Sequence, residues 1–169
     1  IRIGFKQRTY AIPFWALALN IAWEILNTVL GFRELGPHLQ TWINAVWTLF
    51  DFGILYTYFR YGRKWFPSNV QQRWFIPWSL LALVTAFVIQ YSFIAEFGLL
   101  RGRAYAAFSQ NLLMSVLIIA MLVQRGSSEG QSLTIAVNKS IGTLAPTVLI
   151  GVVGAEGFDG PNPLILALG

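Results

Sequence analysis

The residues of this sequence best suited to chemistry are two carboxylates, Glu24 and Asp51, because each interrupts a long apolar segment. In "ALNIAWEILN" (residues 18–27), Glu24 shares one helical face with Asn20 and Asn27, since the spacing is i, i+4, i+7. A carboxyl group removed from water disfavours its charged form and holds a proton at neutral pH. The stretch therefore indicates a carboxyl group that can hold a proton within a membrane helix.

Asp51 has similar polar neighbours on the next apolar segment. Asn44, Thr48 and Asp51 repeat the i, i+4, i+7 spacing, which places them on one helical face. Two such stripes on adjacent helices predict a polar pocket facing inward, because a mid-membrane aspartate costs ~3 kcal/mol on insertion scales. A structural interpretation stays open, since asparagine and protonated carboxyl groups also join helices at ~0.6 kcal/mol per hydrogen bond.

The elements that must position these residues are membrane helices. Hydrophobic residues make up 56% of the 169-residue chain and charged residues only 11%, which is too little polar surface for a soluble globule. Cysteine is absent and there is one histidine, so the ligand count excludes disulfides and a thiolate or imidazole metal site. We expect no metal and no cofactor. Basic residues fall in short clusters between apolar runs, which favours membrane orientation over nucleic-acid binding.

The fold class predicted is all-α: a polytopic transmembrane helix bundle forming a single domain over residues 1–169. Each full span needs about 20 apolar residues to cross ~30 Å of hydrocarbon. The five runs long enough are 10–32, 41–61, 74–97, 104–123 and 132–154. A sixth begins at Pro163 and is too short to span, and both ends of the sequence are expected to be truncated.

Basic residues in the connections predict the orientation. On one side of the membrane lie eight, namely Arg2, Lys6, Arg8, Arg60, Arg63, Lys64, Arg73 and Arg125, against three on the other side, Arg33, Arg101 and Arg103. The first side is therefore predicted to be cytoplasmic, with loops 62–73 and 124–131. At the helical rise, Glu24 then lies ~21 Å from the inner face and Asp51 ~15 Å below the outer face, so the two can meet near the midplane. Lys139, within the last span, is expected to extend to an interface.

Three stretches resemble a known family. "ALNIAWEILN" on an early helix, "WTLFDFGILYTYFRYG" (47–62) on the next and "RGSSEGQS" (125–132) in a late loop look like the small integral-membrane terpene cyclases of the Pyr4 type. These are known from fungal meroterpenoid and indole-diterpene pathways, with bacterial relatives. The resemblance implies seven spans, of which the first and last would be missing here. It also implies a bacterial inner membrane or an endoplasmic reticulum membrane.

The chemistry that the resemblance implies is a cyclisation initiated by protonation of a prenylated acceptor, with or without an epoxide. In the family, the glutamate of the W-E motif, which matches Glu24, acts with an aspartate on the final helix. That helix is not in this sequence, so Asp51 is a catalytic candidate on its position alone. No aspartate-rich run for a metal–diphosphate site is present.

Candidate substrate-binding residues combine amides near the acids with aromatic side chains. Aromatic faces stabilise a carbocation by roughly 0.5–2 kcal/mol each. With 15% aromatic residues in the chain, packing or anchoring explains any single ring equally well. The candidates are Asn20, Trp23, Asn27, Asn44, Trp47, Phe50, Tyr91, Phe108 and Asn111. The prenylated substrate is expected to enter from the bilayer.

Two other classes of function stay open at this stage. One is a non-enzymatic small subunit of a larger membrane complex that holds lipid, pigment or quinone. The other is a proton-coupled carrier in which Glu24 and Asp51 relay protons. The absence of an internal repeat in the sequence weakens the carrier hypothesis. Membrane lipids and other membrane subunits are the expected partners, and nucleic acid is not.

Overall fold

Seven α-helices and short helical turns form the structure, a computed structural model that describes residues 1–155 and 157–169. The helices are α1 (Arg2–Gln7), α2 (Phe14–Leu30), α3 (Leu39–Tyr61), α4 (Phe75–Phe97), α5 (Leu99–Arg125), α6 (Leu133–Val148) and α7 (Pro163–Leu168). Helices α2 and α6 continue as π-helical turns at Gly31–Leu35 and Leu149–Val153, and 3-10 turns lie at Gly62–Trp65 and Gln72–Trp74.

Four helical segments of the described chain are long and apolar enough to cross a membrane. They are Phe14–Leu35, Gln72–Phe97, Leu99–Arg125 and Leu133–Val153. The second predicted span, 41–61, does form a helix, α3, but it is not among these four. The physical reason is the polar face of α3, where Thr41, Asn44 and Asp51 are buried. The predicted sixth segment is the six-residue helix α7.

Side-chain capping explains where helices α6 and α7 begin. The Ser132 hydroxyl accepts a hydrogen bond from the Ile135 amide and so caps α6. The Asn162 side chain does the same for Ile165 at the start of α7, where Pro163 occupies the first helical position. These caps satisfy backbone N–H groups that have no partner within the helix.

Helix α2 is central and packs against α3, α4 and α5. More than half of its apolar stretch is buried, against less than a quarter in each of the other three candidate spans. Ala18 and Ala22 of α2 are fully buried and cluster with Ala86 of α4, so small side chains let these two backbones approach closely. The residues between α2 and its neighbours are therefore shielded from lipid.

Helices α4 and α5 form a tight hairpin. Gly98, the single residue between the two helices, has φ 77°, a backbone conformation that residues other than glycine rarely adopt. One turn later, Gly102 lies against the backbone of α4, where a Cβ atom would come 2.5 Å from the Phe93 carbonyl oxygen. Glycine at both positions allows α5 to return directly along α4.

The three connections predicted to be cytoplasmic meet at one end of the bundle. Lys64 forms an ion pair with Glu129 at 2.8 Å, which joins the α3–α4 connection to the α5–α6 loop. Arg125 donates to the Tyr10 carbonyl oxygen at 3.1 Å, and the Gly130 amide donates to Gln7 at 2.7 Å. Alternating membrane crossings require these segments to share a side, so the contacts support the predicted topology.

Cysteine labelling tests the orientation of this end. The chain has no cysteine, so a Ser68→Cys variant carries one reactive thiol. We expect that thiol to resist a membrane-impermeant maleimide in intact cells and to react after permeabilisation, because positively charged loops stay in the cytoplasm. Asp159→Cys, at the opposite end, is the control and should react in intact cells. Ready labelling of Ser68→Cys in intact cells would reverse the topology.

Candidate active site

The two carboxylates of the sequence prediction lie on α2 and α3, which pack against each other. Both side chains are buried: Glu24 is 7% exposed and Asp51 is 3% exposed. Asn20, one turn before Glu24, donates from Nδ2 to Oδ2 of Asp51 at 2.7 Å. The structure therefore brings the polar stripes of the two helices together around a pair of buried acids.

A chain of amides connects this acid pair to two further helices. Gln110 of α5 donates to Oδ1 of Asn20 at 3.3 Å, and Gln90 of α4 donates to Oε1 of Gln110 at 2.6 Å. Gln90 and Gln110 are 2% and 8% exposed. The side chain of Asn20 thus accepts a hydrogen bond from Gln110 through its oxygen and donates one to Asp51 through its nitrogen.

Sequence reasoning missed Gln90 and Gln110. The signal that could have found them is the same one that found the acids: an isolated polar side chain in the middle of an apolar segment is costly unless it is satisfied within the bundle. Gln90 meets that description, whereas Gln110 lies between Ser109 and Asn111 and so is not isolated in the sequence.

Glu24 differs from Asp51 in its hydrogen bonding. Its Oε2 atom is buried and has no hydrogen-bond partner among the described residues. A buried oxygen without a partner costs about 1–3 kcal/mol, so it calls for a specific explanation. Asp51, by contrast, accepts a short hydrogen bond from Asn20. The pair therefore has one carboxyl group that accepts a hydrogen bond from the protein and one with a buried oxygen that has no partner among the described residues.

A cavity of about 400 Å³ lies between α2, α3, α5 and α6, adjacent to this network. Its lining includes the polar or hydrogen-bonding side chains of Trp23, Gln40, Asn44, Arg103, Gln110, Asn111 and Thr143 and the apolar side chains of Phe108, Leu149 and Ile150. Four of the predicted substrate-binding residues are on these walls, namely Trp23, Asn44, Phe108 and Asn111. Glu24 and Asp51 do not line the cavity. Gln110 does, and it donates a hydrogen bond to Asn20, which in turn donates to Asp51.

Three predicted aromatic residues lie elsewhere. Trp47, Phe50 and Tyr91 are 52%, 49% and 56% exposed, on the outer surface of α3 and α4 and away from this cavity. Asn27 is buried, and its Nδ2 donates to the Trp23 carbonyl oxygen of its own helix at 2.8 Å.

Lys139 does not extend to an interface as the sequence predicted. Its ammonium group donates to Asn111 at 2.6 Å and to Ser115 at 3.0 Å, so α5 supplies polar partners within the bundle. Because Asn111 is on the cavity wall, Lys139 fixes the orientation of one wall residue. The interface prediction was wrong because it considered α6 alone.

The fold and site define a class: helical membrane proteins with a buried acid pair beside a cavity between helices. Residues 1–152 match the model of the Pyr4-like transmembrane terpene cyclases, and the chain belongs to this family. The predicted resemblance is therefore confirmed, and the protein is an integral membrane protein.

Several fungal relatives are similar over most of this chain. Terpene cyclase janB of Penicillium janthinellum is 30% identical over 83% of this chain and 57% of its own length. Terpene cyclase dpmpB of Macrophomina phaseolina is 26% identical over 83% and 58%, and terpene cyclase pyr4 of Aspergillus fumigatus is 23% identical over 88% and 61%. The chain thus spans about three fifths of the length of these relatives. No solved structure matches it.

Proposed function

We propose that this protein is a membrane terpene cyclase that starts the cyclisation of a prenylated acceptor by proton transfer from Glu24. The observation that carries the proposal is the buried acid pair, Glu24 and Asp51, next to a cavity that combines amide and apolar walls. Family membership supports the reaction class, since the relatives are named terpene cyclases.

The acid pair suits proton delivery because two carboxyl groups in a poorly solvated site repel one another when both are charged. One of them therefore retains a proton. Asp51 accepts its hydrogen bond from Asn20, which suits the charged partner, whereas Oε2 of Glu24 has no protein partner among the described residues. In this proposal Glu24 carries the transferable proton, and the negative charge of Asp51 favours the protonated form of Glu24.

The reaction is an isomerisation in its overall balance. Glu24 transfers its proton to a terminal alkene carbon or to an epoxide oxygen of the prenyl chain. The resulting electron-deficient carbon is attacked by the next double bond, so carbon–carbon bonds form and the positive charge moves along the chain. The final cation gives up a proton to the carboxylate pair, which restores the acid and ends the sequence, and the product has the formula of the substrate.

The cavity walls suit a carbocation. Water would capture the cation, and the apolar side chains of Phe108, Leu149 and Ile150 in the lining disfavour water in the cavity. The rings of Phe108 and Trp23 also line the cavity, and an aromatic face is worth roughly 0.5–2 kcal/mol to a nearby cation. The amides in the lining are suited to orient a polar acceptor.

We further propose that α3 crosses the membrane as a fifth span, since its buried polar face is directed into the bundle while its outer face is apolar. Val46, Leu49 and Phe52 of that outer face are 50%, 70% and 47% exposed. A helix with one buried polar face and one apolar outer face is compatible with lipid, even though the buried residues lower its mean hydropathy.

The membrane would be a bacterial inner membrane or that of the endoplasmic reticulum. The prenyl chain of the substrate would enter the protein from the hydrocarbon of that membrane.

Family membership favours the cyclase over the two other classes that the sequence left open, a subunit holding lipid, pigment or quinone and a proton-coupled carrier. Those relatives are named for a reaction and not for transport or assembly.

Product analysis tests the proposed function. Membranes containing the full-length natural chain are supplied with farnesylated and geranylgeranylated aromatic acceptors, each as the alkene and as the terminal epoxide. We expect a product of unchanged mass and altered retention from at least one substrate, and an alkene substrate should gain one carbon-bound deuterium in D₂O. Membranes from cells lacking the gene are the control. No isomer from any substrate, with the protein intact in the membrane, would favour a non-catalytic role.

A further inference from the structure

A second cavity, of about 630 Å³, lies at the end of the bundle where the basic connections meet. It is bounded by α2, the end of α3 and the start of α4, and aromatic, aliphatic and proline side chains make up most of its wall. Four of the seven tryptophans line it: Trp15, Trp65, Trp74 and Trp78. The volume is within the range of ordinary ligand sites, ~300–1,000 Å³. The acid pair and its amide network are not part of this wall.

A half-buried cation is packed against the cavity wall. The guanidinium of Arg125 lies 4.5 Å from the ring centre of Tyr10 and 4.7 Å from that of Trp65, and both rings line the cavity. Its Nη1 atom donates to two backbone carbonyl oxygens, whereas its Nη2 atom is buried without a hydrogen-bond partner among the described residues. A fixed positive charge therefore lies directly behind two aromatic residues of the wall.

Two exposed arginines extend this positive charge. Arg63 lies 5.6 Å from the ring centre of Phe75, and Arg73 lies 5.8 Å from that of Trp74. Phe75 and Trp74 are also wall residues, so stacking keeps both guanidinium groups near the cavity.

No acid in the described chain neutralises this group. Glu129, the carboxylate in the adjacent loop, is paired with Lys64 at 2.8 Å. Within residues 1–155 and 157–169, Arg63, Arg73 and Arg125 form no ion pair. An apolar cavity beside three unneutralised guanidinium groups is complementary to an amphiphile with one apolar chain and one anionic head.

We propose that this cavity binds an anionic phospholipid of the surrounding membrane, with an acyl chain against the tryptophans, the phosphate on the exposed Arg63 and Arg73, and the charge of Arg125 behind the wall adding to the attraction. The predicted orientation places the site in the cytoplasmic leaflet, where anionic lipids accumulate and where basic pockets between helices bind their head groups. Guanidinium groups suit phosphate because their donors match its oxygens in pairs. The site is separate from the proposed active site and does not depend on the proposed reaction.

Bromine quenching of tryptophan fluorescence tests this site. The purified full-length chain is placed in phosphatidylcholine nanodiscs that contain a small fraction of phosphatidylglycerol with brominated acyl chains. Brominated phosphatidylcholine at the same fraction gives the quenching by ordinary surrounding lipid. We expect phosphatidylglycerol to quench more strongly, with an apparent affinity roughly tenfold higher, since several arginines contribute. The double variant Arg63→Gln/Arg73→Gln should lose most of that preference.

A matched double variant controls for diffuse charge. Arg2→Gln/Lys6→Gln removes the same number of charges from exposed positions at the same end of the bundle, so it should keep the preference. Leu81→Phe, which adds volume at the cavity wall and leaves the arginines in place, should weaken quenching by the anionic lipid. The proposal is overturned if both brominated lipids quench the unaltered protein equally, or if the Arg2/Lys6 variant loses the preference as fully as the Arg63/Arg73 variant.

Discussion

Replacement of Glu24 by glutamine should abolish the cyclised product while the protein still inserts and folds. Glutamine keeps the shape of the side chain but has no transferable proton. General acid catalysis is typically worth ~10²–10⁴-fold, and we expect at least the lower value to be lost. Because Oε2 of Glu24 has no hydrogen-bond partner among the described residues, the substitution removes no known structural contact at that atom. Product formation per amount of folded protein in the membrane is the measurement.

Two further variants separate proton transfer from other effects of this substitution. Glu24→Asp should recover little activity, since one methylene withdraws the acid and a displacement of about 1 Å can cost ~10²-fold. Glu96→Gln, which neutralises an exposed carboxylate on α4, should leave turnover unchanged. Undiminished turnover in a well-expressed Glu24→Gln variant would contradict the mechanism, and Glu24 would then be a helix-packing residue.

The part of the site that sequence could predict is the part that helical periodicity determines. Spacing alone places Asn20 and Glu24 on one face of α2, and Asn44 and Asp51 on one face of α3. The cost of a carboxylate in lipid then requires both faces to point into the bundle. Glu24 and Asp51 are indeed buried, and short connections between antiparallel helices bring them together.

The remainder depends on how the helices are rotated and paired, which periodicity does not specify. Gln90 and Gln110 lie on α4 and α5, and only the packing of both helices against α2 joins them to Asn20. Trp47 follows Asn44 by three residues, yet the rotation of α3 that buries Asn44 leaves Trp47 half exposed.

The predicted span count is not confirmed at one helix, α3, for a related reason. Mean hydropathy treats every side chain as if it faced lipid, and α3 carries its polar residues on the face that α2 covers. The sequence predicted the length and position of helix α3 correctly. Its apolar content is too low for it to be among the four candidate spans.

The amide network gives the second large expected effect, through Asn20→Leu. Leucine removes both the donor to Asp51 and the acceptor for Gln110, so two buried polar groups lose a partner. Such a group costs about 1–3 kcal/mol in a protein interior, although interhelical hydrogen bonds in membranes average only ~0.6 kcal/mol. We expect a net loss of about 1–3 kcal/mol in unfolding by sodium dodecyl sulfate. Turnover should fall by up to ~10²-fold, because Asp51 is no longer held beside Glu24.

A double-mutant cycle tests whether the stability lost in Asn20→Leu arises from the hydrogen bonds of the amide network. If Gln110 is stabilised through Asn20, Gln110→Leu should cost less stability in the Asn20→Leu background than in the unaltered protein. Asn138→Leu, at an exposed position of α6, is the matched control and should change neither unfolding nor turnover. Additive losses for Asn20 and Gln110, with full turnover in Asn20→Leu, would show that the acids keep their geometry without these amides. In that case the packing of α2 against α3 alone would be what positions Glu24 and Asp51.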